Sequence, residues 1–189
     1  MELYSLLRLA HFAGFILLGG GLSAVFVSEW QSYRASEPTV FAEGARYTAI
    51  FYDRLVLPGA VLAAASGILL VLRLDIGFFD APWLVGMWGL FLFEFIEGNT
   101  LTRIQFRRTL RHTRPFARGE PLTEEKRREA RTLLSQIVHF LDIPVFSVMV
   151  FCGVARPNRW ASLGAAMAIA ILAAAFLTIG IPRLAARLR

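Results

Sequence analysis

Five long apolar blocks, at about 5–27, 55–74, 83–102, 133–154 and 160–182, alternate along the chain with polar and basic stretches. A helix needs roughly 20 apolar residues to cross a bilayer core of about 30 Å, and each block is of that length. None shows the strict alternation of a half-buried strand. The pattern predicts an all-α integral membrane helical bundle, a four-helix core plus a fifth transmembrane helix, in one transmembrane domain over residues 1–189. The first block reads as a spanning helix. Glu2 and Arg8 leave it without a clear basic leader, and its apolar run is too long for a secretory signal.

The breaks between blocks carry local signals. "SEP" at 36–38 offers Ser36 as a cap and Pro38 in a first turn, so the second helix is expected to start ahead of its apolar block. Pro58 and Gly59 predict a kink or a close contact early in the apolar part. Thr123, followed by a Glu-rich turn and then basic residues, predicts that the fourth helix begins inside the basic loop 104–131. "GGGLSA" at 19–24 supplies small residues, such as Gly20 and Ala24, for close backbone approach. The fifth block carries Ser162, Ala166, Ala170, Ala174 and Thr178 at spacing four. That stripe either closes the bundle or meets a partner, another membrane subunit or a second copy of the chain.

Composition agrees with the pattern. The chain is 56% hydrophobic and 18% charged, with a mean hydropathy of +0.55; soluble domains lie nearer half apolar and a quarter charged. The net charge is +6. In a soluble protein that would raise nucleic acid as a partner. Here the excess of Lys and Arg on cytoplasmic loops explains it, and no nucleic-acid partner is expected. With the N-terminus outside and the C-terminus inside, sixteen of the twenty Lys and Arg fall inside, and only Arg8, Arg73, Arg156 and Arg159 fall outside. The expected location is a bacterial inner membrane, crossed several times. Cys152 is the single cysteine, so no internal disulfide and no CxxC site exists. No Walker loop, GxGxxG turn, GxSxG elbow or HExxH motif occurs, which leaves hydrolase and nucleotide-driven readings without support.

The candidate chemistry lies in "FEFIEGNTLTR" at 93–103 and "HFLDIP" at 139–144. Glu94 and Glu97 are one turn apart on the third helix; His139 and Asp142 have the same spacing on the fourth. The two helices run in opposite directions, so Glu94 is expected level with Asp142, and Glu97 with His139. An ionisable group at mid-membrane costs roughly 2.5–3.5 kcal/mol on insertion scales, so four in one layer need compensation. Three routes are open: protonated, hydrogen-bonded carboxyls; pairing with Arg54 and Arg103 from the inner interface; or a bound cation. Carboxylate with imidazole suits iron, manganese or zinc. His11, in the outer part of the first helix, is a separate candidate cofactor ligand, for haem b above all, or a proton relay. A metal or haem in a redox-linked role is the leading reading. Proton- or ion-coupled transport through the same carboxylates, and a non-catalytic subunit of a larger membrane complex, are the alternatives.

The stretches "LRLAHFAGFILLGGG" at 7–21, "YDRLVLPGAVLAAASGILLVL" at 52–72, the Trp83 start of the third helix and "VFSVMVFCGVARP" at 145–157 together resemble a bacterial family of predicted integral membrane proteins of unknown function. That family is similar to the copper-resistance CopD proteins and to the HemJ type of protoporphyrinogen oxidase. The resemblance implies a four-helix membrane bundle with copper, haem or porphyrin chemistry, and a helix-1 histidine that His11 matches. The paired ExxE and HxxD layer and the fifth helix depart from that pattern.

Overall fold

In the computed structural model, residues 2–123, 125–126 and 133–187 are described, apart from the side chains of residues 33, 133–139, 182 and 185–187. Five helices make the bundle: α1 (Leu3–Arg34), α2 (Pro38–Arg73), α3 (Pro82–Glu97, continued through Gly98–Thr102 and Arg103–Thr113), α4 (Leu133–Ala155) and α5 (Trp160–Arg187). A short 3₁₀ turn, Phe116–Arg118, follows α3.

Several helices outrun their apolar blocks. α1 continues to Arg34, and α3 continues through the first ten residues of the expected basic loop. Just beyond α1 and α3, Ala35 and Phe116 are buried together with Phe41 and Ala42 of α2 in a small separate cluster. Pro38 opens α2 as expected, since its missing N–H has no helical partner to lose. The residue before it is Glu37 rather than Ser36, and Glu37 makes no side-chain cap. Thr123 does cap: its Oγ1 accepts the Lys126 N–H at 3.3 Å. The remainder of that expected helix start, residues 127–132, lies outside the described residues.

Leu3–Ser32, Pro38–Arg73 and Trp160–Ile181 are long and apolar enough to cross a membrane, and Phe140–Ala155 is a shorter apolar helix. In α3 the uncharged run 82–93 stops at Glu94. The outer faces of the long helices expose Ile16, Leu72, Ile169, Leu172 and Phe176, a surface suited to lipid.

α1 packs along α2 through glycine. A Cβ at Gly14 would lie 2.5 Å from the Ala63 nitrogen, and one at Gly59 would lie 2.5 Å from the Leu18 nitrogen. Gly21 meets Leu55 and Val56 in the same way, whereas Gly20 faces open space. The close approach therefore uses Gly14 and Gly21, two turns apart on one face, rather than the expected Gly20 and Ala24. Gly59 fulfils the close contact expected beside Pro58. On α5 the small stripe is used within the chain. Ala170 is buried against Val148 and Cys152 of α4, with Leu163 and Ala166 packed around them. At the end of the bundle that holds the α2–α3 and α4–α5 connections, the Arg156 guanidinium sits 5.5 Å over the Trp83 ring.

Candidate functional site: a buried carboxylate cluster

Two helices change register at the same place in the bundle. In α2 the turn Tyr52–Val56 widens to a π turn, and the Leu57 N–H donates to the Tyr52 carbonyl five residues back. Pro58 supplies the reason: it has no N–H to donate to the carbonyl four residues before it, and its ring crowds that turn. In α3 the turn Gly98–Thr102 widens likewise, and the Arg103 N–H donates to the Gly98 carbonyl. No proline acts here. Side chains stabilise the wider turn instead. Asn99 Nδ2 donates to the Phe95 carbonyl at 2.8 Å, and Thr100 Oγ1 to the Ile96 carbonyl at 2.6 Å.

The π turn in α3 shapes the acid site directly. Residues five apart diverge around an α-helix but align across a π turn. Thr102 thereby comes under Glu97, and its Oγ1 donates to Glu97 Oε1 at 2.7 Å. Thr102 is buried, which leaves its hydroxyl committed to that carboxylate. Gly98 has its own role. Any Cβ there would collide with Tyr52 Oη, so the phenol from α2 seats against bare α3 backbone. Tyr52 is also held edge-on by Phe106, with ring centroids 5.6 Å apart.

Glu94, Glu97 and Asp142 meet at this level. Each offers a carboxylate oxygen, and the three oxygens lie within 4.8 Å of one another. Asp142 is 4% exposed, and Glu94 and Glu97 are half-buried. A cavity of about 40 Å³ adjoins them, lined by Glu94, Asp142, Tyr52 and Asn99 together with apolar side chains such as Leu18 and Phe91. Space of that size holds about three waters.

Of the residues singled out in the sequence, Glu94, Glu97 and Asp142 come together. The helical spacing placed Glu94 level with Asp142, and they are neighbours. His139 lies on α4 one turn before Asp142, and its side chain is outside the described ones. Of the two arginines, Arg103 donates from Nε to Asp53 Oδ1 at 2.8 Å, and Arg107 approaches the other Asp53 oxygen at 3.5 Å. Arg54 is exposed, because the α2 turn that buries Tyr52 directs residue 54 outward. His11 stands apart from the carboxylates. Its Nδ1 lies 2.9 Å from the Ala63 carbonyl of α2 and 3.3 Å from Ser66 Oγ. Sequence reasoning did not single out Tyr52, Gly98, Asn99 or Thr102. The available signal was the polar run "EGNTLT" inside an otherwise apolar helix.

The fold and the site define a multi-pass membrane protein with a buried carboxylate cluster. The chain belongs to the family described as predicted integral membrane protein (DUF2269), which it matches over residues 5–157. No curated protein and no solved structure matches it significantly.

Proposed function

We propose that this protein binds a transition-metal ion at Glu94, Glu97 and Asp142, in a redox-linked role in a bacterial inner membrane. The observation that carries the reading is the convergence of three carboxylate oxygens within 4.8 Å in an apolar bundle. Three like charges this close require an offsetting cation or protons, and a metal ion supplies that charge at one point. An oxygen-rich donor set favours manganese or iron(II) over softer ions. His139 joins the proposal as a fourth ligand on its sequence spacing from Asp142 alone. Thr102 acts as an orienting partner for Glu97, the kind of outer hydrogen bond that metal-bound carboxylates make.

The test is metal analysis of protein purified from its membrane, with a visible spectrum of the same sample. Stoichiometric manganese or iron that is lost in Glu94→Gln and Asp142→Asn supports the reading. A Soret band that disappears in His11→Ala assigns the redox role to haem at the other histidine instead. The water-sized cavity beside Glu94 favours one further reading, ion or proton transport through the same carboxylates. Metal-free protein that carries protons or cations across proteoliposomes in a Glu94-dependent way establishes that reading and rejects the first.

A further inference from the structure

The last part of α3, Arg103–Thr113, has two unlike faces. Phe106 and Thr113 are buried, with Thr102 just before them, and Phe106 packs edge-on against Tyr52 of α2. Ile104, Arg108 and Arg111 fall on the opposite side of the helix, at spacings of four and three, and all three are exposed. We propose that this outward face binds an anionic phospholipid, with the phosphate on Arg108 and Arg111 and an acyl chain along Leu101 and Ile104.

Depth is the first argument. From Pro82 to Arg103, α3 is about 30 Å long, the thickness of a hydrocarbon core. The turns that follow therefore enter the headgroup layer. The neighbouring helix gives the same level. Arg103 pairs with Asp53 at 2.8 Å, and Phe116 meets Phe41 with ring centroids 6.0 Å apart. Tyr47 lies midway between Asp53 and Phe41 on α2, which makes it level with residues 108–111 of the antiparallel α3. Tyr47 is 43% exposed, as suits an aromatic ring anchored at a membrane interface.

Uncommitted charge is the second argument. Arg103 and Arg107 face Asp53, and Arg46 of α2 is held by Glu43 at 2.9 Å. Arg108 and Arg111 pair with no acid among the described residues. A guanidinium is a planar fork of N–H donors that matches phosphate oxygens, and two of them one turn apart address the same headgroup. The order of the face is the third argument. Leu101 and Ile104 are 51% and 60% exposed, and the arginines come next. The surface thus passes from apolar to cationic within a turn, as a lipid passes from chain to phosphate. Topogenic charge accounts for arginines anywhere on this side of the membrane, but it does not require them directly below an apolar stripe. A nucleic acid would meet the cations and leave the apolar half of the face unused.

Purified full-length protein in neutral detergent is titrated with phosphatidylglycerol or with phosphatidylcholine of the same chains, and bound lipid is counted by native mass spectrometry. One phosphatidylglycerol should be held about 25-fold more tightly than phosphatidylcholine, about fivefold for each arginine beside an anionic headgroup. Arg108→Gln and Arg111→Gln should each lose about fivefold while the lipid-free protein melts where the wild-type chain does. Arg46→Gln should keep the full preference, since that guanidinium is already engaged. Glu94→Gln should keep it as well, so the result is independent of the carboxylate reading. Glycerophosphoglycerol, which is the headgroup without its chains, should not displace the lipid at equal concentration, nor should inorganic phosphate or a short RNA. Equal retention of the two lipids by the wild-type chain overturns the proposal. So does an unchanged preference in the double variant Arg108→Gln/Arg111→Gln, or an equal loss in Arg46→Gln. Displacement by any of the three chain-free phosphates assigns the arginines to a soluble ligand and overturns it too.

Discussion

Glu94→Gln should reverse its effect on stability when metal is added. The substitution keeps the side chain's shape and removes one negative charge from a group of three. The cluster's oxygens lie within 4.8 Å of one another, and two full charges at that limit repel by about 3.5 kcal/mol at an effective dielectric of about 20. Any proton taken up by the cluster lowers the repulsion. Without metal, Glu94→Gln therefore relieves repulsion, and the variant should melt higher than the wild-type chain, by a few degrees. With metal the order changes. A ligand at a hundred times its dissociation constant adds about 2.7 kcal/mol to the folded state. One kcal/mol moves the midpoint of a chain of this length by about 2–4 °C, so the wild-type protein should gain about 5–11 °C. Glu94→Gln has lost a ligand and should gain little. The assay is tryptophan fluorescence melting in detergent, in chelator and then in manganese(II) or anaerobic iron(II). The two curves should cross over between the conditions. If metal shifts both proteins equally, or if the ranking is the same in both buffers, the three carboxylates do not act as one cation site.

Three other outcomes follow from the same structure. A reporter fused after Arg189 should be cytoplasmic and one inserted near Asn158 external; the opposite result rejects the inside placement of the exposed Arg107, Arg108, Arg111, Arg114 and Arg118. Asp53→Asn and Arg103→Ala should each cost about 1 kcal/mol, a small figure because the pair is about one-third exposed, and the double variant should be no worse than the worse single one. Additive losses in a double-mutant cycle would mean that the two residues are not coupled. Gly59→Ala should destabilise by about 1–3 kcal/mol because its methyl group meets the Leu17 and Leu18 backbone, whereas Gly20→Ala, which meets nothing within 4 Å, should not; equal midpoints for the two variants would refute the glycine-mediated contact between α1 and α2.

How much of this was legible in the sequence depended on what each feature rests on. Block length and charge placement depend on the bilayer, a uniform solvent, and they led directly to the helices, while the family rested on particular stretches such as residues 7–21 and 52–72. The Glu94–Asp142 neighbourhood was legible for a similar reason, since two motifs of equal spacing on opposed helices fix relative depth. The Asp53–Arg103 pair was not. Depth alone made Arg54 and Arg103 candidates for the acid layer, but rotation about the helix axis decides which acid a side chain reaches, and the π turn changes that rotation. Asp53, one polar residue among many in the first half of α2, is the acid that Arg103 meets. The glycine face failed by rotation too. A run of three glycines fixes the level of a close contact without saying which of them points at the neighbour, and the packing chose Gly21.

The two π turns tie these features together. Each inserts a wider turn into a long helix, in α2 beside Pro58 and in α3 at Gly98–Thr102, and π turns of this kind are concentrated at functional sites. Their consequences converge on one level of the bundle. The wider turn in α3 brings Thr102 under Glu97, and the residue that follows it, Arg103, crosses to Asp53 in the wider turn of α2. Tyr52, which opens the α2 turn, rests on Gly98, which opens the α3 turn. A purely structural origin accounts for α2, where proline would disturb any helix. It does not account for α3, where no proline is present and where Asn99 and Thr100 both bond back to the chain to sustain the distortion. What the α3 turn accomplishes is a fixed orientation for a buried carboxylate and a bare patch of backbone beside it. A helix that only had to cross the bundle would gain nothing from either. A helix that has to present Glu94 and Glu97 to Asp142 at a set angle needs both.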